Sequence, residues 1–465
     1  MTTAVSTRAR YLADFATRER EGALERPSWL GPLRRAAIST FAEAGFPTTR
    51  EEDWRYTNLA PLAQMPFTPV QTHEPPELSG TTVARLGIEG ADWPRLVFVD
   101  GRYARRASTP TRQTLADGVR ISSLADAMQA DAGHGDGARL ERHLARHAKA
   151  DGNVFAALNT AFVEDGALVE VRADTAASQP IELVFVARTP GVLAQPRILV
   201  IAERGSRVTL VERYVALVDD AYFTNVVTEV AIGPGASVDH YVVQEQSVRA
   251  FHVATLHAAI ERDGSFSTCG VTLGGRLART TLTAEFRGEG GAVALRGLYV
   301  IEGTQHVDHH VTVDHAVPRC TSRQLYKGVL DGSARAVFNG RIVVRPDAQK
   351  TDANQTNKHL LLSDGVEVDT KPQLEIFADD VKCTHGAAEG QLAPEQLFYL
   401  RSRGLAEPAA RALLTYGFAR EVVERIAPVP LQTYVDRQLR ALTERLLQRS
   451  DRTAVEAVPS TKENR

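Results

Sequence analysis

Cysteine is scarce in this sequence: three occur in 465 residues, at 269, 320 and 383. Thiols so few and so far apart exclude a disulfide framework and fit a reducing compartment. A surplus of one charge is missing too, with 54 Lys and Arg against 57 Asp and Glu and a pI near 6.5. That balance gives no basic footprint for nucleic acid or an anionic membrane surface, so neither partner is expected. No apolar run approaches the roughly 18 residues of a membrane span. The opening MTTAVSTRAR lacks the apolar centre of a secretory signal, which makes the cytoplasm the expected location. Nucleotide-hydrolysis and serine-hydrolase signatures are absent as well. There is no G-x-x-x-x-G-K-[ST] loop and no G-x-S-x-G elbow, and Gly288, Gly290 and Gly291 neither satisfy G-x-G-x-x-G nor open a helix.

What is present falls into zones. The length suggests two to four structural units. Residues 1–150 read as mostly helical: Leu33, Ala37, Phe41 and Ala44 recur at helical spacing and stop at Gly45, with Pro47 beyond, and a second run surrounds Leu140 and Leu144. Within this zone residues 95–106, RLVFVDGRYARR, read as a hairpin turning on Asp100-Gly101. From 151 to 390 helical periodicity gives way to short Val/Ile/Leu-rich stretches, such as 168–171, 183–186, 198–201, 208–211, 226–232, 238–243, 280–286, 292–300 and 336–344. So much strand needs a sandwich, a barrel or a solenoid to manage its edges. The strands are too many for one sandwich, and a stack of short strands suits a parallel β-helix, although no strict repeat can be read. Residues 386–390, GAAEG, read as a turn closing that zone. Residues 391–450 return to helix, opening at Pro394, stopping at Gly404 and broken at Pro428 and Pro430 before the stripe Leu431, Val435, Leu439, Leu442, Leu446. The polar end, 451–465, reads as a disordered tail.

Cys383 and His385 are one residue apart in a strand-like stretch, so alternation puts both side chains on one face, roughly 7 Å apart. A thiolate beside an imidazole suits iron, zinc or copper, or a nucleophile with its base. The plain alternative is a small buried hydrophobe beside a hydrogen-bonded histidine. Since a cluster of iron and sulfur usually takes four thiolates, with histidine an occasional substitute, three scattered cysteines would need ligands from another chain. His306, Asp308, His309, His310, Asp314 and His315 form the densest set of potential ligands, with His306, Asp308 and His310 on one face if this is a strand; the set reads as a solvated strand face or turn, with a divalent-metal site as the alternative. His143 and His147, four apart on a helix, lack the glutamate of H-E-x-x-H and read as a solvated face. Taken alone, these features leave a metal- or cysteine-dependent β-helix enzyme as the alternative function.

The stretch 348–390, AQKTDANQTNKHLLLSDGVEVDTKPQLEIFADDVKCTHGAAEG, followed by Leu397-Phe398-Tyr399-Leu400-Arg401-Ser402-Arg403-Gly404, resembles the C-terminal part of SufD-type chains in the SufB/SufD family. Glu52-Asp53-Trp54-Arg55-Tyr56-Thr57-Asn58-Leu59 and residues 320–330, CTSRQLYKGVL, resemble that family's N-terminal and mid-chain signatures. The resemblance implies a right-handed parallel β-helix core between helical ends, and a non-catalytic scaffold for iron–sulfur cluster assembly. It also implies pairing with a SufB-like paralogue through the β-helices. A SufC-like ABC ATPase is expected on the C-terminal helical domain, with Leu397, Phe398, Tyr399 and Arg403 as docking residues, so this chain binds no nucleotide itself. In the family's D-D-V-K-C-[ST]-H-G motif the cysteine and histidine lie at the paired interface. They map to Cys383 and His385, which would share a transient iron–sulfur cluster with ligands from the partner. The cluster of histidines at 306–315 matches no family ligand set.

Overall fold

The structure, a computed structural model, describes residues 2–70, 75, 77–109, 117–131 and 137–456. Its centre is a parallel β-helix of about eight turns, each turn laying one strand on each of two sheets. One sheet carries Gly166–Val171, Arg197–Ala202, Phe223–Ile232, Phe251–Ile260, Leu277–Phe286, His306–His315, Arg335–Val344 and Glu367–Ile376. The other carries Ile181–Ala187, Arg207–Ala216, Ser237–Glu245, Ser265–Thr272, Ala292–Ile301, Thr321–Leu330, Asp352–Leu361 and Lys382–Gly390. Alternate residues of every strand point into the lumen, where Leu183, Leu210, Val238, Phe266, Leu295, Phe286 and Phe338 stack as one apolar core. Residues 386–390, expected as a turn, are strand: Gly386, Ala387 and Ala388 align in register with Thr356, Asn357 and Lys358. The neighbouring strand dictates extended backbone there despite weak propensity.

The repeat is structural rather than textual. Phe223, Phe251, Leu277, His306, Arg335 and Glu367 occupy one register position in successive turns, so the turns differ in length between 26 and 32 residues. One corner repeats more faithfully. Asp174, Gly205, Gly235, Asp263, Gly290, Arg319 and Lys350 all have positive φ. Each donates its N–H to a carbonyl of the next turn, at Arg204, Pro234, Arg262, Glu289, Pro318, Gln349 and Asp380. The left-handed kink turns the chain sharply from one sheet to the other at these corners, and the side chain there varies because the backbone alone carries the bond.

The two ends of the β-helix differ. At the N-terminal end Val119–Ser123 pairs antiparallel with Gly166–Val171, and the hairpin Arg95–Val99 with Arg102–Tyr103 covers Ile181–Ala187. The hairpin turns at Asp100-Gly101, as its sequence indicates. Helices Thr2–Arg20, Leu30–Ala44 and Val154–Phe162 pack there through Tyr11, Phe15, Phe41, Phe155 and Phe162 onto Phe223 and Phe251. The buried pair Arg197–Glu229 fixes this layer, since Glu229 also accepts the N–H groups of Ala145, His147 and Ala148, and Arg197 reaches Asn159 and Thr160. That anchoring ends the helix Gly137–His143 at His143, so His143 and His147 do not share one; their ring nitrogens lie 3.2 Å apart across a turn.

Along the side of the β-helix, helices Glu407–Val423 and Val429–Glu456 cover the second sheet's outer face, the latter reaching back to Arg213 and Glu89 near the N-terminal end. Val422, Ile426, Leu431, Val435 and Leu439 lie there against Tyr241, Val271, Leu298, Val329 and Leu360. The last helix enters the stretch expected as a tail, because extending an established helix needs no apolar face; residues 457–465 lie outside the described ones. Among the described residues no helix is long and apolar enough to cross a membrane.

Candidate functional site at the open end of the β-helix

The final turn consists of Glu367–Ile376 and Lys382–Gly390, joined by the corner that holds Asp379 and Asp380. Each strand is bonded on one side only, to Arg335–Val344 and to Asp352–Leu361. Its outer row of backbone groups therefore has no strand partner among the described residues. Pro372 sits in this edge, where a missing N–H is tolerated. Ile376 and Phe377, 40% and 62% exposed, mark the same end as apolar.

Cys383 and His385 both lie on that last strand. In the parallel register Cys383 stands over Ala353 and His385 over Gln355, both of which are buried in the lumen. The two side chains thus share the lumen-facing side, as their spacing indicates, at the open mouth. Cys383 is half-buried against Ile342, Val344 and Ala378, whereas His385 is exposed. Burial pushes the Cys383 thiol above its ordinary range; the Ala353 backbone N–H pulls it partly back and the Asp352 carboxylate raises it again. At neutral pH the isolated chain therefore presents a thiol, and proton loss has to accompany any metal it takes up. The other cysteines are different. Cys269 is sealed under the C-terminal helices, where burial pushes it up to about 12, and Cys320 is buried at a corner with its thiol directed at the Gly288 and Pro318 carbonyls.

The 306–315 segment is a strand whose ligands are divided between two faces. His309 and His315 point into the lumen, while His306, Asp308 and His310 point outward beneath the segment 52–58. There the Trp54 ring covers the Arg279 guanidinium at 3.6 Å, Arg279 pairs with Asp308, and Thr57 donates to Asp308 at 2.5 Å and contacts His306 at 3.0 Å. Burial alone would raise Asp308; Arg279, His310 and Thr57 outweigh it and hold the carboxylate well below its usual range. Glu52 completes the clasp on Lys371 of the last turn. The metal-site option for His306, Asp308 and His310 is thus corrected: these groups lock the N-terminal signature onto the β-helix. Among the described residues no group of three His, Cys, Asp or Glu side chains is arranged to hold a metal. Sequence reading missed this clasp although both halves were singled out, because nothing in either half names the other.

Of the four residues expected to dock an ATPase, Phe398 and Tyr399 are 74% and 55% exposed on the helix Pro394–Ser402, and the Arg403 guanidinium lies 4.4 Å over the Tyr399 ring. Leu397 is half-buried. Beneath the mouth the lumen turns polar, with Gln324, Gln355, Asn357 and His359 all buried, a feature that an alternating strand pattern does not distinguish from a solvated face.

Comparison with known proteins agrees with this architecture. Residues 185–418 match the model of the SufBD core domain of SUF-system FeS cluster assembly, and residues 5–183 match the SufBD N-terminal region. The chain is 34% identical over 413 residues to an iron–sulfur cluster assembly SufBD family protein of Synechocystis, covering 86% of this chain and 88% of that protein. It is 30% identical over 417 residues to the iron–sulfur cluster assembly protein SufD of Escherichia coli, covering 87% and 91%. With SufD of Bacillus subtilis it shares 28% identity over 452 residues, covering 95% and 98%. The chain accordingly belongs to the SufBD family of SUF-system iron–sulfur cluster assembly proteins and is SufD-like.

Proposed function

We propose that this chain is a non-catalytic scaffold subunit that pairs through the open end of its β-helix with a SufB-like paralogue and carries a SufC-like ABC ATPase on its C-terminal helices. The observation that carries this reading is the unpaired final turn, with Cys383 and His385 on its mouth. An exposed sheet edge is a template for another strand. A second β-helix ending in the same way can extend both sheets by main-chain bonds, while alternate side chains supply specificity. Cys383 and His385 then offer a nascent iron–sulfur cluster, as cargo, two ligands of the right softness, and the partner offers the rest. Phe398, Tyr399 and Arg403 form an aromatic and cationic patch of the kind that anchors protein interfaces.

Coexpression with both partners followed by size exclusion tests the assembly. A three-component complex is expected, and a chain that elutes alone sinks the proposal. Phe398→Ser combined with Tyr399→Ser should release the ATPase and keep the paralogue; retained ATPase moves its dock elsewhere. His385→Ala should slow cluster assembly without loosening the complex, because an exposed ligand contributes little to the core.

A further inference from the structure

The two strands of the final turn are both edges, but they rest on different floors. Beneath Glu367–Ile376 the lumen is apolar, with Ala336, Phe338, Ile342 and Val344 buried, and residues 368–375 are all at least partly covered. Beneath Lys382–Gly390 stand Gln355, Asn357 and His359, in register with His385, Ala387 and Glu389. They are 1%, 1% and 3% exposed, yet both amide atoms of Gln355, Nδ2 of Asn357 and Nδ1 of His359 have no hydrogen-bond partner among the described residues. Covered polar atoms of that kind cost stability, and hydration restores it once the cover is lifted. The cover itself is slight. Residues 384–390, THGAAEG, are all exposed and include no apolar side chain larger than alanine, and a Cβ at Gly386 or Gly390 would meet nothing within 4 Å. Besides one parallel ladder, two side-chain bonds hold this segment among the described residues: Asn354 donates to Thr384 and Thr370 to Glu389, each at 2.7 Å. Its start is firmer, because Cys383 packs on Ile342, Val344 and Ala378 and Lys382 donates to the Thr351 carbonyl. Past Gly390 the chain enters the helix Pro394–Ser402, which buries no residue.

Resting on the pairing reading above, we infer that residues 384–390 form a hinged flap, which swings off the lumen in the isolated chain and is seated by the second β-helix. Cys383 is the hinge and stays in place, whereas His385 travels with the flap. Opening hydrates the four orphaned atoms, and little apolar contact is lost to oppose it. A strand added to the outer edge gives the flap a second ladder and shifts the population to the seated form. Cys383 and His385 are then held on one face only in the assembled complex, so the ligand pair forms where the partner's ligands are.

Native-state hydrogen exchange of the full chain without a partner separates a flap from an ordinary edge strand. Lys382 donates inward to Thr351 and Glu367 to Ala334, so by alternation the N–H groups of Gly386, Ala388 and Gly390, and those of Asp369, Lys371 and Gln373, all face a neighbouring strand. The first three are expected to exchange at least about a hundredfold faster than the second three, after correction for intrinsic rates. Gln355→Met, which makes the floor apolar at nearly the same shape, should slow the flap amides about tenfold. Gln324→Met, one turn deeper, should leave them unchanged. Equal protection of the two sets in the wild-type chain, or flap amides indifferent to Gln355→Met, overturns the inference; should Gln355→Met fail to fold, the wild-type comparison decides alone. Added SufB-like paralogue should raise the flap amides to the protection of the other set, and a complex whose flap amides stay fast overturns the seating. A chain that does not pair on size exclusion would instead remove the pairing reading, on which the exchange of the isolated chain does not depend.

Discussion

Cys383 is the one cysteine of the three that is not fully buried. Its raised thiol and its place at the mouth make a specific reactivity pattern. Iodoacetamide at pH 7.5 should modify Cys383 alone, slowly, and faster as pH rises, while Cys269 and Cys320 stay intact under native conditions; peptide mass mapping reads the outcome. Preferential labelling of Cys269 would contradict the packing of the C-terminal helices. The shared face of Cys383 and His385 was legible from their one-residue spacing. Their position on an edge was not, because a terminal strand and an internal one have the same alternation. Gln355 was illegible for the same reason: a polar residue at an alternate position reads as solvent-facing until the register shows what stands above it.

The clasp of residues 52–58 over the strand His306–His315 is where two elements far apart in sequence depend on each other. Asp308 is wholly buried and compensates Arg279, which is buried as well. Asp308→Ala leaves that guanidinium unpaired and should destabilise the fold by about 3–5 kcal/mol, measured by denaturant unfolding; a change under about 1 kcal/mol would show the clasp to be a surface contact. Trp54→Ala should lose less, since the ion pair survives. The His306, Asp308 and His310 alternation was readable as one face, but a metal site and a docking site need the same residue types, and only the covering segment distinguishes them. The solenoid was readable from strand number, whereas its repeat was hidden because the corner that recurs is a backbone conformation tolerating Gly, Asp, Arg and Lys.

Across the molecule, burial holds His147, His252, His309, His315 and His359 down at about 4. Unfolding releases them to about 6.5. Because the folded values are the lower ones, the unfolded chain takes up protons first; the stabilisation is intact above about pH 6.5 and is lost as pH falls toward 4, at up to about 1.4 kcal/mol per pH unit for each histidine. Urea midpoints at pH 7.5, 6 and 5 should fall in that order, and His359→Gln should flatten the trend; an unchanged midpoint over that range would mean these rings are hydrated. The β-helix is capped at its N-terminal end by an antiparallel strand, a hairpin and helices, whereas among the described residues its last turn has no further strand partner, so the proposed pairing surface lies at one end alone. Hydrogen exchange of the amides in Glu367–Ile376 and Lys382–Gly390, with and without the SufB-like paralogue, tests this most directly. The account predicts rapid exchange at the outer row in the isolated chain and strong protection in the complex; a complex that forms while those amides go on exchanging freely would place the interface elsewhere and contradict it.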